Sequence, residues 1–243
     1  MNENTSVDNA REPAATPAGS ARAIVRAALK ASLATLDRAS GHPYASLVLV
    51  ATEPSGAPVL LLSRLALHNQ NLAGDPRASL LFDATDGAAD PLSGARVTLI
   101  GHCAPTDCGT ARRRFLARHP SAEMYADFAD FSFFALTVER AHLVGGFGRI
   151  VGLGAGDLQS DVADAAALVD AEPALLDAIN ARHATTLARL AARPPADADL
   201  AWRACGIDPD GVDLVAGPAG ARIAFAERVT SPAAALAALA ARA

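Results

Sequence analysis

Apolar residues recur along this chain in two rhythms. Between Ala21 and about Asp37, Ile24, Ala28, Ser32 and Leu36 fall on one helical face, with Val25, Leu29 and Leu33 beside them. That spacing predicts an amphipathic helix, ended by Gly41, His42 and Pro43. The rhythm then shortens. Residues 45–51 (ASLVLVA) and 58–63 (PVLLLS) predict a hairpin around Pro54, Ser55 and Gly56. A helical piece follows from Arg64 to about Ala73, closed by Gly74-Asp75-Pro76. Further strands are predicted at 77–83, 95–103, 131–138 and 141–147, a loop at 83–94 and a helix at 109–118. Strands with helices inserted between them outline a small β-barrel.

Residues 148–162 (GRIVGLGAGDLQSDV) hold four glycines and few anchors and read as a connector, with the boundary placed at 151–165. Beyond it, residues 166–243 read as a second, α+β unit. A helix is expected over 171–192, opened by Asp170, Glu172 and Pro173. Strands follow at 200–206, 212–216 and 221–226, and a last helix after Ser231-Pro232. Residues 1–20, poor in large apolar groups, read as a disordered tail, leaving residues 21–150 for the barrel.

Composition narrows the function. The chain of 243 residues has 21 basic and 26 acidic side chains, a net charge of −5. An acidic chain with no basic run argues against nucleic-acid binding. No apolar run reaches the ~18–20 residues of a membrane helix, and no h-region opens the sequence, so a cytoplasmic protein is expected. Cys103, Cys108 and Cys205 make no disulfide framework and no thiolate zinc pair. Lys30 is the single lysine, in a helical segment without a glycine loop, which excludes a P-loop. There is no H-E-x-x-H and no G-x-S-x-G, and GGFGRIVGLGAG does not fit a dinucleotide fingerprint.

The candidate chemistry rests on the histidines, His42, His68, His102, His119, His142 and His183, and on one aromatic run. His183, on the apolar face of its expected helix, reads as a packed core or interface group or as a metal ligand. Ser63, Arg64, His68 and Asn71 could present donors to an anion at a helix start, or form a solvated face with a capping serine. Tyr125 to Phe134 sets aromatics beside Asp127 and Asp130, suited to a flat ring or to core packing.

At this point the residues resemble a family. GHPYASLVLVATEPSGAPVLLLSRLALHNQNLAGDPRASLLFDA is similar to the first half of the FMN-binding split barrel of the pyridoxamine-5′-phosphate-oxidase type. ARVTLIGHCAPTD and RRFLARHPSAEMYADFADFSFFALTVERAHLVGGFGRI resemble its haem-utilisation (HugZ-type) branch. LLDAINARHATTLARL, ACGIDPDGVDLVA and ARIAF resemble the small C-terminal domain fused to that branch. The resemblance implies an α+β fold, a split β-barrel with a C-terminal α+β domain. It also implies a cytoplasmic homodimer that binds haem or FMN at the subunit interface.

Ser46 and Ala51 stand where the oxidases carry an Arg and a Lys, and Leu67 and His68 where they carry an Arg-Lys pair. Most of the charge that holds a flavin phosphate is therefore gone. The favoured expectation is a protein that binds haem and supports its reductive, oxygen-dependent opening to release iron. His68 or His183 would ligate or approach the iron. Asp130 would hydrogen-bond a ligand or bound oxygen species, and Arg64 and Arg149 would pair with the propionates. The alternatives are an FMN-dependent oxidoreductase, its phosphate near Ser46, Ser63, Arg64, His68 and Asn71, and a non-catalytic haem or flavin carrier or regulatory partner.

Overall fold

The N-terminal apolar run does not stay helical. The computed structural model describes residues 16–85, 89–146, 148–191 and 200–242. Helix α1 spans Pro17–Ala27, opened by a proline and by Thr16, whose Oγ1 accepts from the Gly19 amide at 3.1 Å. Residues 17–20 are thus helical, while the rest of the expected tail, 1–15, lies outside the described residues. Strand β1, Lys30–Leu36, replaces the second half of the expected helix. Its Ala31, Leu33 and Thr35 alternate inward, a period-2 pattern hidden beneath the 3.6-residue one. Pairing on both edges, with the strands that follow it in space, settles the choice.

The barrel continues with β2 (Pro43–Leu49), β3 (Ala51–Thr52), β4 (Pro58–Ser63), α2 (Leu67–Gly74), β5 (Arg77–Ala84) and β6 (Ala95–Pro105). It is completed by α3 (Gly109–Arg118), β7 (Phe131–Gly145), β8 (Ile150–Gly154) and α4 (Ala155–Leu158). Strand order is β2-β1-β5-β6-β7-β4-β3, with β8 on β7. The expected hairpin shrinks to Ala51–Thr52 against Pro58–Val59, because β2 turns away to pair with β1. The sheet curls so that β2 returns towards β4 and leaves a seam between them. Leu33, Leu60, Leu80, Phe82, Val97, Leu99 and Leu136 fill the interior.

The strands expected at 131–138 and 141–147 are one strand that ends at Gly145; Phe147 lies outside the described residues, as do residues 86–88 of the expected loop. Pairing shifts from Ile100↔Arg140 to Gly101↔Val138, so Glu139 bulges out. A Cβ on Gly101 would stand 1.9 Å from the Thr137 carbonyl oxygen. Gly101→Ala must therefore spread β6 from β7, and we expect a loss of about 1–3 kcal/mol in denaturant unfolding. A midpoint equal to wild type would show that the bulge relaxes freely.

Residues 150–158, expected as connector, belong to the barrel: β8 pairs with β7 after a turn through Gly146 and Gly148 at positive φ, and Leu158 enters the core. The C-terminal unit comprises α5 (Ala166–Asp170), α6 (Glu172–Arg182), α7 (Ala184–Ala191), β9 (Arg203–Asp208), β10 (Gly211–Ala216), β11 (Ala219–Ala224) and α8 (Pro232–Ala240). The single helix expected over 171–192 is broken at His183, and residues 192–199 lie outside the description. In an unbroken helix Ile179 and Leu187 would point about 80° apart. The break lets both enter one core with Leu168, Ile207 and Leu214.

A buried ionic cluster joins the two units. Arg114 of α3 donates to Thr52 O (2.7 Å), Glu172 Oε1 (2.6 Å), Ile207 O (3.0 Å) and Asp213 Oδ2 (2.9 Å). Arg26 of α1 lies 3.1 Å from Asp208 Oδ2, and Arg222 bridges Asp208 and Asp213. Gly206 makes the room: a Cβ there would stand 2.6 Å from an Arg114 nitrogen. Among the described residues no helix is long and apolar enough to cross a membrane.

Candidate functional site

The seam between β2 and β4 opens into a cavity of about 320 Å³. Leu47, Val48 and Leu49 of β2 face Leu61, Leu62 and Ser63 of β4, and Phe115, Tyr125 and Phe131 close one side. The Tyr125 and Phe131 rings lie with centroids 5.0 Å apart, tilted by 46°, and both line the cavity, so the aromatic run noted in the sequence reaches it. Its other wall is α2, which carries His68.

Helix α2 is pinned from below. Asn71, fully buried, donates to Thr35 Oγ1 (3.1 Å) and accepts from the Arg38 amide (3.1 Å). Asn69 donates to Leu62 O at 3.4 Å. These bonds fix the first turn of α2, and with it the imidazole. His68 Nδ1 lies 3.0 Å from Ser46 Oγ, a bond that spans the seam from α2 to β2. Burial lowers the His68 pKa, which favours the neutral ring. When Nδ1–H donates to Ser46, Nε2 keeps its lone pair.

At the end of β4, Ser63 Oγ donates to Asp130 Oδ2 at 2.6 Å and accepts from the Leu65 amide at 3.1 Å. The Arg64 amide donates to Asp130 O (2.7 Å), and the Arg64 side chain donates to Ala129 O (2.8 Å). The structure therefore brings Ser46, Ser63, Arg64, His68 and Asp130 to one place, with Asp130 and Arg64 at the rim. Asn71 is a strut, its amide turned to β1. Arg149 lies at the opposite end of β7, beside a separate cavity of about 160 Å³. His183 caps α6 in the C-terminal unit, outside the lining of the seam cavity. The sequence reading missed Leu47 and Leu49, 70% and 40% exposed, whose outward alternation in β2 was the available signal.

Residues 12–153 match the family described as CREG, beta-barrel. The chain belongs to the CREG β-barrel family. A curated relative, the chloroplastic heme oxygenase HOZ of Arabidopsis thaliana, is 31% identical over 157 residues, 62% of this chain and 47% of that protein. The chain thus spans about half the length of the curated relative it matches. Among solved structures, the Agrobacterium tumefaciens protein Atu2129, of unknown function, is 32% identical with a TM-score of 0.81, covering 92% of this chain and 94% of that one. A heme binding protein from Mycobacterium smegmatis is 31% identical with a TM-score of 0.57, covering 95% and 96%. The split barrel with its C-terminal α+β unit, and the resemblance to haem-utilisation proteins, are borne out.

The lining discriminates between the two groups that the fold suggests. A flavin phosphate needs cations or several donors. No Arg or Lys lines the seam cavity, and burial disfavours a charged His68. Among the described residues, the lining itself offers an FMN phosphate no cation. A haem asks for an apolar slot and a neutral nitrogen ligand, and the cavity has Leu47, Leu49, Leu61, Phe131 and His68. Haem fits. Among the described residues no group of three or more His, Cys, Asp or Glu could hold a bare metal ion.

Proposed function

We propose that this protein binds haem in the seam cavity and supports its oxidative degradation. The observation that carries this is one neutral imidazole, held by Ser46 across the seam, over an apolar floor. The named relatives, a heme oxygenase and a heme binding protein, support it. His68 Nε2 would hold the iron. Leu47, Leu49 and Phe131 would cover the ring faces and exclude water. Bound haem would supply the redox-active iron for opening its own ring, with an external reductant and oxygen. Asp130, half-exposed, accepts the Ser63 hydroxyl proton and links that hydroxyl to solvent at the cavity wall.

The active form is a homodimer in this reading. The cavity is open on one side, and Leu65, Met124 and Phe128, next to the lining residues Ala66, Tyr125 and Phe131, stand 79%, 74% and 58% exposed. A second copy would cover them. The reducing cytoplasm suits the three free cysteines.

The test is a visible spectrum of pure protein before and after one equivalent of hemin, and separately of FMN. We expect a sharpened, shifted Soret band with hemin and no change with FMN. The lowered His68 pKa gives the pH dependence its sign: protons compete for Nε2 only below the ordinary imidazole range, so the hemin complex should persist as pH falls through about 6.5. No Soret change with hemin sinks the reading.

A further inference from the structure

A larger cavity, about 700 Å³, lies beside the first, between the barrel and the C-terminal unit. Small apolar groups of α1 and of the β10–β11 turn, such as Ile24, Ala28 and Ala219, form much of its wall. Two donors interrupt it. Lys30 makes no ion pair among the described residues, although it is the single lysine of the chain. Trp202, the single tryptophan, is 6% exposed, and its buried indole N–H has no acceptor. His119 also faces this space; its Nε2 donates to Val50 O at 2.8 Å, which leaves Nδ1 as an acceptor in the neutral ring. Asp83 of β5 lines the same cavity; continuing the β1–β5 register sets it beside Lys30 on the same face of the sheet, with its Oδ1 on the Thr85 amide at 2.9 Å and no ion pair to Lys30. A buried N–H without an acceptor, beside an exposed ammonium that makes no ion pair among the described residues, suits a ligand that brings anionic oxygen.

The two cavities share a wall. Leu49 lines both. It is the direct partner of Lys30 in the β1–β2 ladder. Directly opposed residues carry their Cβ atoms about 4.5–5.5 Å apart on the same face. The flexible stem of Lys30 therefore stands next to the side chain that divides the two spaces. A flat ring resting on Leu47 and Leu49 would come within reach of the Lys30 side chain. The other cations considered are elsewhere: Arg149 is at the far end of β7, and Arg64 is bound to Ala129 O.

We propose that the inter-unit cavity receives the carboxylate-bearing edge of the tetrapyrrole, with Lys30 as its counter-ion. The inference rests on the haem reading above. It assigns Lys30 as the residue that selects a dicarboxylate porphyrin over its neutral analogue, and gives the larger cavity a role in binding.

The test compares hemin with hemin dimethyl ester on wild type, Lys30→Met and Lys30→Arg. Binding is followed by the Soret band and by quenching of Trp202, which lines this cavity. Wild type should prefer hemin about tenfold, the scale of one charge-assisted hydrogen bond. The preference should weaken with salt. Lys30→Met should bind both ligands alike, and Lys30→Arg should keep the preference. Thermal unfolding of all three should coincide, because Lys30 is exposed. A preference that survives Lys30→Met, or a wild type that treats acid and ester alike, overturns the Lys30 assignment and leaves the haem reading intact. Absence of a Soret change with either ligand overturns both together.

Discussion

Arg114→Met should lower the free energy of unfolding by about 3–5 kcal/mol. At roughly 2–4 °C per kcal/mol for a chain of this size, the melting temperature should drop by roughly 10 °C. The cost comes from what the substitution leaves behind. Glu172 and Asp213 are 0% and 1% exposed, and each loses a guanidinium at hydrogen-bond distance. Thr52 and Ile207 carbonyls lose their donor as well. Arg77→Ala makes the contrast. Arg77 pairs with Asp75 at 2.5 Å, but in the open, where such a pair contributes about 0–1 kcal/mol. Equal melting temperatures for the two variants would mean that the buried cluster does not hold the units together. The cluster also sets the acid response. Burial alone would raise the Asp208 and Asp213 pKa values, but Arg26 and Arg222 outweigh it and hold both below the ordinary carboxylate range. Folded-state values below the unfolded one mean stability that is complete above about pH 4 and lost as pH falls further.

His68→Ala should remove the Soret shift seen with hemin and weaken binding by at least tenfold, while His183→Ala leaves spectrum and affinity as in wild type. The asymmetry follows from position. His68 is half-buried on the cavity wall, with its second nitrogen occupied by Ser46, whereas His183 sits at a helix break in the other unit. His68→Gln keeps a polar side chain on α2 and separates ligation from folding. Its spectrum should match that of the alanine variant, with unfolding close to wild type. If His183→Ala changes the spectrum and His68→Ala does not, the ligand has been assigned to the wrong unit.

The sequence revealed the architecture more fully than the site. Strands such as 77–83 and 95–103 were legible because one face is buried and alternation is strict. Residues 30–36 were not. KASLATL carries apolar groups at both helical and strand spacings, and only pairing with β2 and β5, distant in sequence, decides between them. The glycines of 148–158 suggested a connector because glycine reads as punctuation, yet they serve a tight β7–β8 turn and a strand. At the site, Ser63, Arg64 and His68 are close in sequence and could be grouped by eye. Ser46 and Asp130 join them through tertiary contacts that periodicity does not encode. Arg149 was placed with them by resemblance alone, and β7 carries it to the other end of the barrel. Lys30 went unnoticed as a binding group because its only visible property was its rarity.

The buried ionic cluster bears on how the chain is made. The family match ends at residue 153, while Glu172, Asp208, Asp213 and Arg222 all come later. A ribosome delivers the barrel first, so Arg26 and Arg114 emerge well before their carboxylates. Until residue 213 has left the exit tunnel, the two guanidinium groups have only their acceptors within the barrel, Thr52 O for Arg114 and Glu53 O and Pro54 O for Arg26. The contacts that Arg26 and Arg114 make to Glu172, Asp208 and Asp213 can thus form only after the barrel has been synthesised.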